Sequence, residues 1–191
     1  MNTITHLLIG WSAANIDTLE NRDRLLVTIG GVLPDIDSFG LLPEIITHKT
    51  LDWFSRYHHI LAHNLIGAIL GLTIVILLAR KRLITGVLYL LAFHIHLLCD
   101  IAGGRGPDGY QWPIPYLWPF ASALQITWPH QWALNAWPNF VITILFIIIM
   151  LRLARTKGYS IIGLFSKRAD RRLVKTIRER YPLSGGATGQ N

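Results

Sequence analysis

Three stretches of the chain are almost unbroken in apolar residues: 65–79 (LIGAILGLTIVILLA), 83–99 (LITGVLYLLAFHIHLLC) and 140–151 (FVITILFIIIML). With their flanks, each approaches the roughly 20 residues that carry a helix across a bilayer. Two earlier segments, 4–16 and 25–34, are apolar but shorter. They either lengthen into their polar flanks or stop part-way through the bilayer. The pattern predicts an all-α, polytopic membrane bundle of about five helices over residues 1–155. A basic tail, 156–191, follows it. In that tail Leu173, Val174 and Ile177 mark one face of an amphipathic helix, and the terminal SGGATGQN reads as disordered.

Composition agrees with the membrane reading. Hydrophobic residues make up 51% of the chain and charged residues 15%, with a mean hydropathy of +0.38, more apolar than most soluble domains and gathered in long blocks. No basic stretch precedes the first apolar run and no small-residue cleavage motif follows it, so no signal peptide is expected. Cys99 stands alone, which excludes an intrachain disulfide and a thiolate cluster.

The net charge of +7 would suggest nucleic acid in a soluble protein, but its distribution points to orientation instead. Bases gather at Arg22 and Arg24, at Arg80-Lys81-Arg82, and from Arg152 through Arg180. By the positive-inside rule these zones are cytoplasmic, and five helices then alternate without conflict. The tail is expected to rest on anionic lipid, with no nucleic acid partner.

The histidines played no part in that assignment, yet His6, His48, His58, His59, His63, His94, His96 and His130 all fall at or near the outer ends of the helices. Asp35, Asp37 and Asp100 fall there as well. His96 and Asp100 are four apart and share a helix face, as His59 and His63 would on a helix reaching back that far. His58, five from His63, would join only a helix that starts after it. Asp35 and Asp37 follow Pro34 on a turn that can aim both carboxylates at one point.

Imidazole and carboxylate without thiolate suit Zn²⁺, Mn²⁺ or Fe²⁺. More ligands than one tetrahedral ion needs suggest two metals bridged by a carboxylate, an arrangement used against phosphoesters. His94 lies off the His96–Asp100 face and reads as a hydrogen-bonded packing residue, and His48 and His130 read as ordinary loop residues. The segments HLLIG (6–10) and HNLIG (63–67) share H-x-L-I-G, which would fit two pseudo-repeated hairpins plus one helix. The outer loop, 101–136, is rich in Pro, Trp and Tyr and suits an interfacial belt, a lid over the polar cluster, or both.

In order, THLLIG, GVLPDID, a histidine pair closing on His63, HLLCD and YLWPF resemble the bacterial membrane-bound metal-dependent hydrolase family, often labelled LexA-regulated. The resemblance runs from about residue 4 to 121. It implies His6, Asp35, Asp37, His96 and Asp100 as metal ligands and a place in the bacterial inner membrane. The family pattern H-R-G-x-T-H-S maps its histidines onto His58 and His63. Here HHILAHN lacks the Arg, Gly and Thr, and helical spacing favours His59, so both His58 and His59 stay in the set. The loop GRGPDGYQWPIPYL makes Arg105 and Asp108 candidates for substrate contact. The expected activity is hydrolysis of a phosphoester or ester of a lipid-like substrate at the outer face, with Asp35 or Asp37 accepting a proton, Asp37 being the favoured catalytic carboxylate, and Arg105 holding an anionic oxygen. The alternative is a non-catalytic metal protein, a scaffold or a transporter. The apolar run below His94 argues against a conduit.

Overall fold

The computed structural model describes all residues except 17, 47–56, 107–108 and 183–191. Helices α1 (Thr3–Ala13), α2 (Asn21–Gly30), α3 (Leu41–Ile46), α4 (Leu65–Leu78), α5 (Arg82–Gly103), α6 (Trp137–Lys157) and α7 (Lys167–Arg180) follow in order, with 3-10 turns at Pro34–Gly40 and Ile161–Leu164. Among the described residues there is no strand, only isolated bridges between Arg105 and Ala133 and between Ile114 and Ile126. The architecture is all-helical, as the apolar periodicity predicts.

Among the described residues, only α5 and α6 are both long and apolar enough to cross a membrane. At 22 and 21 residues they extend about 33 and 31 Å, matching a hydrocarbon layer of about 30 Å. The other three apolar segments form shorter helices than five full spans require. α1 has 11 residues, α2 has 10 and α4 has 14. The reasons are local. α2 opens on Asn21-Arg22-Asp23-Arg24 and gives way to the 3-10 turn at Pro34. α4 opens at Asn64, whose side chain accepts from Gly67 N at 2.9 Å, and closes just before the Arg80-Lys81-Arg82 cluster.

α5 is the central post. α1, α2 and α4 pack on it, and α6 lies against α1. One core joins Ala68 and Val75 of α4 to Tyr89, Phe93 and Leu97 of α5, and a second joins Ala13, Val27, Leu88 and Ala92. Most of α6 stays outside these cores. Its buried residues are Asn139 and Ala154, while Phe140, Val141, Ile144 and Ile148 are exposed. A helix apolar all round with so little of it covered is suited to lipid.

Two contacts fix how the short helices meet the post. A Cβ on Gly31 would lie 2.7 Å from both Gly10 Cα and His6 O, so α1 and the end of α2 touch backbone to backbone. At the other end, buried Asp23 accepts from Arg80 N at 2.9 Å, Lys81 N at 2.8 Å and Thr85 Oγ1 at 3.1 Å. Lys81 offers α5 no side-chain cap, and α2 supplies one in its place, satisfying amide groups that a helix start leaves orphaned.

α7 folds back on the Ile161–Leu164 turn and α6. Val174 is buried while Leu173 and Ile177 are half-buried, the face that the sequence marks. The SGGATGQN end and His48 lie outside the described residues.

Candidate metal centre

Four elements converge where α5 ends. His6 comes from α1, Asp35 and Asp37 from the 3-10 turn, His58, His59 and His63 from the segment before α4, and His96 and Asp100 from α5. His6, His63 and His96 are fully buried, and Asp100 is 2% exposed. Desolvating so many polar groups is costly unless something binds them together.

Asp100 is the hub. Its Oδ1 lies 3.0 Å from His6 Nε2 and also meets the Met1 amine. Its Oδ2 lies 2.9 Å from His96 Nε2, 3.5 Å from His63 Nε2 and 3.9 Å from His59 Nε2. Two sets of potential ligands follow, His6–Asp35–His96–Asp100 and His59–His63–Asp100, each with its donor atoms within 4.8 Å of one another. Asp100 belongs to both.

The outer nitrogens of two imidazoles are already assigned. His96 Nδ1 donates to Gly31 O at 2.9 Å, because a carbonyl can only accept. His63 Nδ1 faces Asp37 Oδ2 at 3.0 Å. With both Nδ1 positions protonated, the Nε2 lone pairs of His63 and His96 meet at 3.2 Å and both point at a carboxylate oxygen. Such a gathering of acceptors requires a shared cation, a proton or a metal. Among the described residues, His6 Nδ1, His59 Nδ1 and Asp35 Oδ2 are buried without hydrogen-bond partners. The donor set therefore fits a metal.

Protons can meet part of this demand. Burial would push His63 down, but hydrogen bonds to Asp100 and Asp37 outweigh it and raise its pKa to about 9. Burial and the neighbouring His63 push His59 well below the ordinary imidazole range. Burial would raise Asp37, yet hydrogen bonds from His58 and His63 hold it well below the usual carboxylate range.

Asp35 and Asp37 do not aim at one point, in contrast to the expectation from the PDID turn. In a 3-10 helix of about three residues per turn, positions i and i+2 face directions about 120° apart. Asp35 Oδ1 reaches toward His96 Nε2 at 3.7 Å. Asp37 sits behind the imidazoles, where Oδ1 meets His58 Nδ1 at 2.8 Å and Oδ2 accepts from His59 N at 3.1 Å as well as meeting His63.

The pairing of His59 with His63 also arises differently from the expected helical spacing. Residues 58–64 form turns, and His59 adopts φ 68°, a left-handed conformation uncommon for residues with a Cβ. That turn sets the His59 ring tilted against His63, centroids 4.3 Å apart, and directs His58 to Asp37 and Ser38 instead. The H-x-L-I-G echo likewise lacks a common local structure, since His6 lies within α1 while His63 precedes α4.

The outer loop is stitched to the end of α5 beside the cluster. Gln131 Nε2 donates to Asp100 O at 2.7 Å, Asn139 Nδ2 to Gly103 O at 3.0 Å and Trp132 N to Ala102 O at 3.0 Å. Trp112 stands edge-on to His58 and His59, with centroids 4.9 and 5.3 Å away. Sequence reasoning missed Trp112 and Gln131, because contact across 50 or 30 residues leaves no periodic signal.

Arg105 joins the same loop through its backbone, donating to Trp132 O and accepting from Leu134 N. Among the described residues its side chain forms no ion pair. Asp108 lies outside the described residues. His94 spans Leu90 O and Tyr116 Oη at 2.8 Å each, outside both ligand sets, and His130 packs beside Trp128.

Residues 1–169 match the model of a family described as YdjM inner membrane protein, which carries the likeness beyond residue 121 and into the basic tail. No curated protein matches the chain, and neither does any solved structure.

Proposed function

The chain belongs to the YdjM inner membrane protein family, and on that premise we propose that it is a membrane-bound, metal-dependent hydrolase whose two ions would be held by His6, Asp35, His96 and Asp100 and by His59, His63 and Asp100. The observation that carries this reading is the sharing of Asp100 between two sets of buried donors, with imidazole lone pairs facing one another and a carboxylate. Zinc and manganese suit the ligand chemistry. Bound ions of this kind lower the pKa of water and polarise a phosphoryl or carbonyl oxygen.

The side chains divide the remaining work. Asp37 has both oxygens engaged, so it orients His63 and His58 and keeps the His63 Nε2 directed inward. Asp35 retains an unpartnered oxygen and is the most exposed of the carboxylates in the ligand sets, which makes it the better acceptor for a proton from water. Arg105, five residues beyond Asp100 and without a carboxylate partner among the described residues, would hold an anionic phosphoester oxygen. Trp112 covers the His59 side and keeps bulk water away. A lipid-like ester or phosphoester follows from a membrane location and this anion-directed set. The positive-inside rule puts this end of the bundle outside and the basic stretches inside, in a multi-pass arrangement with a cytoplasmic C-terminus.

The near-complete burial of His6, His63 and His96 favours one other reading, a closed structural metal site in a scaffold. Elemental analysis of detergent-purified protein should find about two equivalents of metal, and Asp100→Asn should remove both. Metal-loaded protein should hydrolyse members of a panel of phosphodiesters, phosphomonoesters and carboxylic esters, and Arg105→Ala should lose that turnover while keeping its metal. Metal bound without turnover above the metal-stripped control would establish the scaffold. Metal-free protein that takes up none would remove both.

A further inference from the structure

At the end of the bundle where α5 begins, opposite Asp100, a second polar feature takes no part in the metal centre. Arg24 on α2 is 8% exposed. Its Nη1 donates to Asn21 Oδ1 at 3.3 Å and its Nη2 to Leu19 O at 2.8 Å, while the guanidinium lies over the Tyr159 ring at 3.8 Å. Its Nε is buried without a partner, and no carboxylate among the described residues comes within ion-pair distance. Neutral acceptors and an aromatic face leave it without a direct ion pair, Asp170 across the same cavity offsets its charge only in part, and a buried charge without a close counter-ion is costly.

Arg24 borders a cavity of about 270 Å³, lined also by Asn21, Tyr159, Lys167, Asp170 and Arg171. Asp170 holds its place on the wall through Oδ1, which accepts from Ser160 N and Ser160 Oγ at 2.7 Å each and pins α7 to the end of α6, and its single negative charge offsets only one of the three bases. Lys167 and Arg171, one turn apart on α7, present exposed ammonium and guanidinium groups to the same space. Three bases against one committed carboxylate leave a local excess of positive charge.

We propose that this cavity binds a phosphate monoester or diester group, with Arg24 at its floor and Lys167 and Arg171 at its rim. Planar guanidinium groups suit phosphate oxygens, and the volume accommodates a phosphorylated head group. An anionic phospholipid and free phosphate share this chemistry. A lipid at this position would tie α7 to the bilayer surface and brace the end of α2 that Asp23 joins to α5.

Full-length protein in detergent would be titrated with dihexanoyl phosphatidic acid, with inorganic phosphate and with dihexanoyl phosphatidylcholine at about 0.15 M salt, which screens diffuse charge. Binding would be read by microscale thermophoresis and by thermal shift. Saturable binding of phosphatidic acid is expected. Lys167→Glu with Arg171→Glu should weaken it at least tenfold, whereas Arg168→Glu with Arg172→Glu, an equal charge change on exposed positions outside the cavity, should leave it within about threefold. Arg24→Gln should abolish binding. Should that variant fail to fold, the exposed Lys167/Arg171 pair decides alone. Inorganic phosphate binding as tightly as the lipid would identify a soluble phosphate ligand, and tenfold preference for the lipid a head group; both support the site. Equal weakening by the two double variants, or no saturable binding by the wild type, would overturn it.

Discussion

His63 is held between two carboxylates, Asp37 behind and Asp100 in front, and its protonation ties the site to pH. Its folded pKa of about 9 lies above the ordinary 6.5. In metal-free protein the stabilisation from this imidazolium is therefore fully present below about 6.5 and is lost as pH rises through about 9, on the order of 3 kcal/mol in all. A metal at Nε2 must displace that proton. Apparent metal affinity should rise about tenfold per pH unit between roughly pH 7 and 8.5, measurable by competition with a chromophoric chelator. An affinity flat across this range would show that the metal does not use His63 Nε2. Asp37→Asn removes the charge behind His63 while keeping its size. It should weaken metal binding by about 10- to 100-fold without the complete loss expected for Asp100→Asn, and the same competition assay would compare the two. The separate duties of the two carboxylates could not be read from PDID, because the spacing alone does not say whether the turn is 3-10, and only that geometry sends them apart.

Among the elements, the junction of α1 and α2 carries the most consequence for the site, since His6 O and the Gly31 carbonyl that holds His96 both belong to it. Gly31→Ala would set a methyl group 2.7 Å from Gly10 Cα and His6 O, backbone atoms that cannot rotate away. Separating the helices should cost at least about 1–3 kcal/mol and loosen metal binding. Gly86→Ala meets only the terminal methyl carbons of Ile76 and Leu72 at 3.1 and 3.2 Å, side chains able to yield, and should be milder. Thermal melts of both variants with and without metal test the contrast; equal losses would count against a special role for the α1–α2 contact. Helix identity was legible in the apolar blocks, as was the His96–Asp100 face on α5. The endings were less so. The turn at 58–64 departs from the expected helix because His59 takes a left-handed conformation, which its neighbours in sequence do not announce.

For the molecule as a whole, the separation of bases from the His/Asp cluster predicts an orientation that labelling can check. In a Cys99→Ala background, cysteine at exposed Ser122 should react with an impermeant thiol reagent in intact cells, and cysteine at exposed Arg168 should not. The reverse pattern would place the metal centre on the cytoplasmic side. α5 and α6 are long and apolar enough for two crossings, and three shorter helices lean on α5. The bundle is thus a central post with partial helices around it, whose ends bring polar groups to the post's C-terminal end.

The sequence by itself determined that the chain is helical and apolar, that its bases lie apart from its histidines, and which side chains are suited to bind metal. Those properties are local: composition sets the preferred environment of a segment, and a four-residue spacing sets a helix face. Tertiary structure alone decided that Asp100 is shared between two ligand sets, that Asp37 stands behind His63 rather than beside Asp35, and that Trp112 and Gln131 border the cluster. It also placed Arg24 against Tyr159 and α7, 135 residues or more away in sequence. Each of these depends on where separate helices stop and how closely their backbones approach, which is fixed by glycine contacts and buried hydrogen bonds between residues distant along the chain.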